Sequence, residues 1–176
     1  MKLYKKKEHI SAPLGQADPY IIKAEDNRFY LYSTGGYLFS SDTLLGEWEY
    51  KGICLDMGSQ KECWAPSVLQ IGEKYFMYYS SMEENSTDVH AQRIRLAISD
   101  TPQGPFVYYK DILPAFSIDP HVVQTPSGLY MFYCNNDFEA ARPGTYILCD
   151  KMKDPYSMEG KAVRAVCPTL DEEIYM

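Results

Sequence analysis

A proline-led apolar segment recurs three times along the chain and sharply restricts the folds that it can adopt. The copies read Ala-Asp-Pro-Tyr-Ile-Ile at residues 17–22, Trp-Ala-Pro-Ser-Val-Leu at residues 64–69 and Ile-Asp-Pro-His-Val-Val at residues 118–123. A polar turn and a second, aromatic segment follow each copy. Repetition at a period of about 50 residues, with several strands in each unit, is typical of the blades of a β-propeller.

Composition supports the same fold class. The 176 residues include 16 Tyr and 7 Phe, and aromatic side chains favour the half-buried surfaces of β-sheets. The sequence therefore predicts an all-β chain with no helix longer than a turn. Its blades are predicted at residues 17–55, 63–112 and 117–160, and residues 161–176 are predicted to approach a fourth blade that the chain lacks. In blade three, residues 150–154 are predicted to form a turn.

Charge, hydropathy and cysteine spacing exclude several classes of protein. The net charge of −7 does not suit a duplex-binding protein, and the basic run at residues 2–7 is interpreted as a solvated arm. No apolar run approaches the roughly 18 residues of a membrane span. The N-terminus shows no secretory signal. Five cysteines without a CxxC pair indicate free thiols in a reducing compartment, so we expect a cytoplasmic protein.

Two aspartates occupy equivalent positions in this repeat. The innermost strand of a propeller blade lines the central channel, so Asp18 and Asp119 are predicted to face one cavity, with Ala65 in the corresponding place of blade two. Paired carboxylates suit glycoside hydrolysis, which needs an acid and a base flanking the scissile bond. Asp-Pro also begins many strands and turns for structural reasons, and we assign Asp154 to such a turn.

Other candidate ligand residues lie next to these aspartates. Trp64 is interpreted either as a ring that stacks on a sugar or as a packing residue between blades. His121 lies on the same strand face as Asp119, where it either contacts sugar or forms part of the core. Gly35 and Gly36 either allow a ligand to approach the backbone or form a tight turn. No His and Cys residues have metal-ligand spacing, so neither a metal nor another cofactor is predicted.

The three proline-led motifs, in this order and spacing, resemble the inner-strand motifs of glycoside hydrolase family 43. This resemblance covers residues 16–160 and implies a five-bladed propeller acting on arabinose- or xylose-containing oligosaccharides with inversion. It implies that Asp18 is the general base, that Asp119 orients the acid and raises its pKa, and that Trp64 lies beside the sugar. Some members of that family hold a cation in the central channel.

The family's general acid, a glutamate on the inner strand of the fourth blade, has no counterpart here. Glu159, Glu172 and Glu173 lie outside any such strand, and none is assigned that role. Three hypotheses follow: a glycosidase represented by its first three blades and inactive alone, a noncatalytic carbohydrate-binding module, or a structural repeat fragment that pairs with another chain. We expect either self-association through the open side of blade three or disorder near Met176.

Overall fold

The computed structural model describes residues 16–114 and 116–174 of the chain. The basic run at residues 2–7 and the end of the chain at Met176 lie outside the described residues. Within them the chain is all-β, as predicted, and its two helices are single 3-10 turns at Val89–Ala91 and Asp171–Glu173. No helix in these two ranges has the length and apolar character needed to cross a membrane.

Within the described ranges, fourteen strands form three sheets, which are consecutive blades of a β-propeller. Blade one contains β1 (Tyr20–Lys23), β2 (Phe29–Ser33), β3 (Tyr37–Ser41) and β4 (Glu49–Ile53). Blade two contains β6 (Gln60–Ile71), β7 (Lys74–Glu83), β8 (Arg93–Ser99), β9 (Phe106–Asp111) and a short outer strand, β5 (Leu55–Asp56). Blade three contains β10 (Ile118–Thr125), β11 (Gly128–Asp137), β12 (Gly144–Asp154), β13 (Ser157–Met158) and β14 (Val163–Val166). The proline-led segments belong to β1, β6 and β10, the innermost strand of each blade.

The outer edges of blades two and three differ from a simple four-stranded meander. Strand β5 continues from blade one and pairs in parallel with β9, which joins two blades through the backbone. Strands β13 and β14 both pair with β12, so the outer edge of blade three consists of two short segments. Strand β14 lies within residues 161–176, which were predicted to approach a fourth blade.

The predicted turn at residues 150–154 is wrong, because β12 continues through all five residues. Asp150 is 3% exposed, and its carboxylate accepts hydrogen bonds from the backbone N–H groups of Gly160 and Lys161. Those N–H groups lie between β13 and β14, where the chain leaves the ladder. The Asp150 carboxylate thus accepts hydrogen bonds that, in a regular outer strand, backbone carbonyl groups would accept.

Strand β7 lies between two hydrophobic cores, and its side chains alternate between them. Tyr75, Met77 and Tyr79 pack between blades one and two, whereas Phe76 and Tyr78 pack between blades two and three. All five residues are buried. A strand covered on both faces is expected to be apolar throughout rather than alternating, and this aromatic segment follows that rule.

Two buried tyrosine hydroxyl groups connect each blade to the next. The hydroxyl of Tyr32 donates to the carbonyl of Pro102 at 2.6 Å, and that of Tyr78 donates to the carbonyl of Pro155 at 2.8 Å. Tyr32 and Tyr78 occupy equivalent places in their blades, since each pairs with the residue that follows the proline of the repeated motif. The equivalent residue of blade three is Phe132, which has no hydroxyl group. The repeat therefore extends to the contacts between blades.

Candidate active site

The three equivalent positions of the repeat share an unusual backbone conformation. Asp18, Ala65 and Asp119 have φ angles of 53°, 41° and 55°, in the left-handed region that non-glycine residues rarely adopt. Each also precedes a proline, which further restricts its backbone. Such strain persists only where the surrounding structure imposes it, and it is concentrated at functional sites. The same constrained turn thus lies just before β1, inside β6 and near the start of β10.

Both aspartates lie at one opening, the end of the molecule where the inner strands begin. The negative charge of Asp18 raises the pKa of Asp119, so the two carboxylates lie close enough to interact. Their neighbours also meet across this space, because the rings of Tyr20 and His121 lie 5.6 Å apart although they belong to blades one and three. Asp18 and Asp119 are both exposed. The start of blade one and the start of blade three therefore lie close together, and the convergence of the two carboxylates on one cavity stays a prediction.

The two carboxylates occupy different electrostatic environments. Desolvation by the surrounding protein raises the pKa of Asp119, a hydrogen bond with the Cys134 thiol lowers it, and the negative charge of Asp18 raises it again. The net direction is upward. Asp18 accepts a hydrogen bond of 2.7 Å from the hydroxyl of Thr34. Two nearby carboxyl groups with unlike surroundings are suited to different roles in proton transfer.

The ring of Trp64 is half-buried beside the αL-region residue of blade two. Trp64 pairs with Ser80 on β7, which sets it at the same end of the molecule as the two aspartates. It is not among the residues that form the two hydrophobic cores. This placement leaves part of the indole accessible from the opening, although its contact with a sugar remains a prediction.

His121 is exposed, so the interpretation of this residue as part of the core is wrong. Pro120 and Val122, its neighbours, are the buried residues of this strand, and His121 points into the opening against Tyr20. The alternation of the strand was predicted correctly, but the sequence did not reveal which face was covered. Its role as a sugar contact stays a prediction.

Gly35 and Gly36 form a tight turn, which decides between the two interpretations of this pair. Their φ angles are +90° and +69°, and the N–H of Gly36 bonds to the carbonyl of Ser33. The N–H of Gly35 donates to the carbonyl of Cys63 at 2.8 Å. This turn therefore holds the end of blade one against the segment of blade two that precedes Trp64.

A group of aromatic side chains on the same face was not singled out from the sequence. The ring of His90 lies 5.2 Å from that of Phe116 and 6.0 Å from that of Phe138. His90 and Phe138 belong to the loops that follow β7 and β11, the strands whose ends lie beside Ala65 and Asp119. Phe138 is 48% exposed. We call these three residues the rim cluster; only a comparison of loop positions between blades could have indicated it.

The other acidic candidates lie elsewhere. Glu159 follows β13 at the outer edge of blade three, whereas Asp119 begins the inner strand. The carboxylate of Glu173 accepts hydrogen bonds from the N–H groups of Thr169 and Leu170, which lower its pKa. Asp154 accepts from the N–H of Tyr156, which confirms that this Asp-Pro pair forms a structural turn.

No described group of three or more His, Cys, Asp or Glu residues is arranged to hold a metal ion.

The three sheets are consecutive blades of a β-propeller, and two of them carry the neighbouring carboxylates of Asp18 and Asp119. The chain belongs to the glycosyl hydrolases family 43, whose model matches residues 12–174. Its structure is similar to that of a thermostable family-43 glycoside hydrolase, with 31% sequence identity and a TM-score of 0.75. That match covers 89% of this chain and 55% of the other.

Two curated relatives illustrate the similarity in sequence. The probable arabinan endo-1,5-α-L-arabinosidase C of Aspergillus niger is 32% identical over 128 residues, which are 65% of this chain and 40% of that protein. The xylosidase/arabinosidase 43A of Humicola insolens is 27% identical over 113 residues, which are 61% of this chain and 33% of that protein. The chain thus matches less than half of the length of either relative.

Proposed function

We propose that this chain is the part of an inverting glycoside hydrolase that carries the general base and a second, supporting carboxylate. The observation that carries the proposal is the pair Asp18 and Asp119, which have the same backbone conformation in two blades and lie close enough to interact. Because the two carboxyl groups have different surroundings, they are suited to different tasks.

In this mechanism Asp18 removes a proton from a water molecule as the water attacks the anomeric carbon. The carboxylate is exposed and receives one hydrogen bond from Thr34, so it is accessible to that water and has a defined orientation. Asp119, whose pKa is raised, would act on the general acid rather than on the leaving group. The acid itself is not assigned among residues 16–114 and 116–174.

The proposed substrates are arabinose- or xylose-containing oligosaccharides. The support is the names of the two curated relatives, an arabinan endo-arabinosidase and a xylosidase/arabinosidase. Trp64 and His121 would contact the sugar at the carboxylates, and the rim cluster would contact residues further along the oligosaccharide. Aromatic rings suit such contacts because they offer a large surface at a small cost in conformational entropy.

The test is hydrolysis of aryl arabinofuranosides and aryl xylosides by this chain and by the same chain continued through two further blades. General acid catalysis supplies typically about 10²–10⁴-fold in rate, so this chain alone should show little turnover and the longer chain should be active. In the longer chain, Asp18→Asn should abolish turnover and leave sugar binding nearly unchanged. Asp119→Asn should alter the shape of the pH–rate profile, and Trp64→Ala should mainly weaken binding.

Normal turnover by the Asp18→Asn variant would contradict the role of this residue. Equal turnover by the short and long chains would show that the acid lies within this chain, and Glu159, Glu172 and Glu173 would then be tested.

A noncatalytic carbohydrate-binding function is the second candidate. It is favoured by the presence of Ala65, rather than a carboxylate, at the third equivalent position of the described blades. This function predicts saccharide binding without turnover in both the short and the long chain.

We also propose that the chain resides in a reducing compartment such as the cytoplasm. The support is its five cysteines, all of which are free thiols. Thiol labelling of the denatured protein directly after cell lysis, with and without a reductant, would test this: all five thiols should react without reductant, and labelling that needs the reductant would contradict it.

A further inference from the structure

One position on the second strand of each blade faces the constrained turn of the inner strand. In blade two, Ser80 pairs with Trp64, which directly precedes Ala65. In blade three, Cys134 pairs with Ile118, which directly precedes Asp119. In blade one the N–H of Thr34 bonds to the carbonyl of Ala17, which precedes Asp18. Thr34, Ser80 and Cys134 are therefore equivalent, and all three have a side chain that can form hydrogen bonds.

Thr34 uses its hydroxyl group to connect two blades. The hydroxyl donates to Oδ2 of Asp18 at 2.7 Å and accepts from the backbone N–H of Ala65 at 3.0 Å. These bonds form one N–H to O–H to carboxylate series in which each donor polarises the next group. The carboxylate of blade one is thus connected to the backbone beside Trp64 in blade two.

The other two positions each show one half of this arrangement. The hydroxyl of Ser80 accepts from the N–H of Asp119 in the next blade at 3.2 Å, while Ala65 in its own blade has no carboxylate to receive a bond. Cys134 instead bonds the carboxylate of Asp119 in its own blade. Among the described residues, only Thr34 forms both bonds. Its own blade provides the carboxylate of Asp18, and blade two provides the backbone N–H of Ala65.

We propose that Thr34 is a positioning residue that holds the Asp18 carboxylate in a fixed relation to the Trp64–Ala65 segment of the next blade. This inference rests on the proposed function, in which Asp18 is the base. A base must stay within a narrow range of positions to activate water, and an exposed aspartate alone has considerable rotational freedom. The bond from Thr34 restricts that freedom, and the bond from Ala65 fixes the hydroxyl that donates it.

A purely structural role would also place a hydroxyl between two blades, so the test must detect the connection itself. If the series exists, a change in the charge of Asp18 alters the hydroxyl and therefore the amide of Ala65. Nuclear magnetic resonance of the intact 176-residue chain can follow the carboxyl carbon of Asp18 and the amide of Ala65 over the same pH range. The variants are Thr34→Val, which keeps the shape without the hydroxyl, Thr34→Ser, which keeps the hydroxyl, and Asp18→Asn.

We expect the Ala65 amide of the wild-type chain to titrate with the same midpoint as the Asp18 carboxyl carbon. The Thr34→Ser variant should retain this response, and the Thr34→Val and Asp18→Asn variants should lose it. An unchanged response in Thr34→Val, or no response in the wild type, would overturn the proposal. If Thr34→Val does not fold, Thr34→Ala decides the matter, because it also removes the hydroxyl group that bonds to Asp18 and Ala65.

A second measurement separates this proposal from the proposed function. Titration with xylotriose, followed by the Trp64 indole signal, should show binding that is about two- to tenfold weaker in Thr34→Val than in the wild type or Thr34→Ser, because loss of the hydroxyl releases the Trp64–Ala65 segment. Equal binding in all three would overturn the positioning role. Absence of binding by every form would instead overturn the proposed function, while the pH titration reports independently whether the connection exists.

Discussion

Replacing Tyr78 with phenylalanine removes one hydroxyl group from the contact between blades two and three. The Tyr78 side chain is fully buried, and its hydroxyl donates to the carbonyl of Pro155 at 2.8 Å. The remaining ring keeps its packing against the second core. A single hydrogen bond contributes about 0.5–1.5 kcal/mol net, so Tyr78→Phe should lower the free energy of unfolding by about that amount. For a chain of this size the midpoint of thermal unfolding should fall by about 1–6 °C.

The assay is urea unfolding followed by tryptophan fluorescence and far-ultraviolet circular dichroism. Tyr32→Phe should cost a similar amount, because its hydroxyl makes the equivalent bond to Pro102 between blades one and two. Tyr108→Phe is the matched control: its hydroxyl bonds to Asp111 at an exposed site, so its effect should stay within about 0.5 kcal/mol. No loss of stability in either buried variant would refute the argument that these hydroxyls join the blades.

Two further predictions concern the opening. The native pKa of Asp119 is raised above the unfolded value of about 3.9. The stability it contributes is therefore complete below that value and is lost as the pH rises through the native pKa. As the pH rises through this window, the Asp119→Asn variant should lose less stability than the wild type. Urea unfolding at several pH values measures this, and an equal change in the free energy of unfolding in both proteins would contradict it. Phe138→Ala should weaken binding of xylotriose about two- to tenfold while leaving xylose unaffected. Tyr109→Ala, an exposed tyrosine on β9, is its control, and equal effects of these two changes in calorimetry would argue against a role of the rim cluster.

The repeat made most of the fold predictable from the sequence. Proline has no N–H group to donate, so it marks the start or edge of a strand rather than its middle. Aromatic segments favour buried strands. Together these two signals identified the inner and second strands of all three blades. The same reasoning separated Asp154 from the other Asp-Pro pairs, because Asp154 lay outside the repeat. The all-β class and the family resemblance followed from these motifs together.

The outer edges could not be predicted from local pattern. Strand β12 continues through Asp150 because the buried carboxylate satisfies two backbone N–H groups ten and eleven residues further along the chain. Nothing near Asp150 in sequence indicates those partners, and a polar residue there suggests a turn. Strand β5 presents the same difficulty, since its partner β9 is distant in sequence.

The site was partly predictable for a related reason. Equivalent positions in a repeat identified Asp18 and Asp119, but the backbone strain at those positions depends on tertiary structure. Thr34 and Ser80 were not singled out, because a hydroxyl residue at the end of a strand has many ordinary roles. Their equivalence emerges only from the strand register, which shows which residue of the inner strand each one faces.

A crystal structure of this chain with xylotriose or an arabino-oligosaccharide bound would test the roles of Asp18 and Asp119 most directly. We expect one sugar residue between these two carboxylates, with the Trp64 ring against it and the remaining sugar residues directed toward the rim cluster. A saccharide bound elsewhere on the blades, with the space between the two carboxylates open, would contradict it.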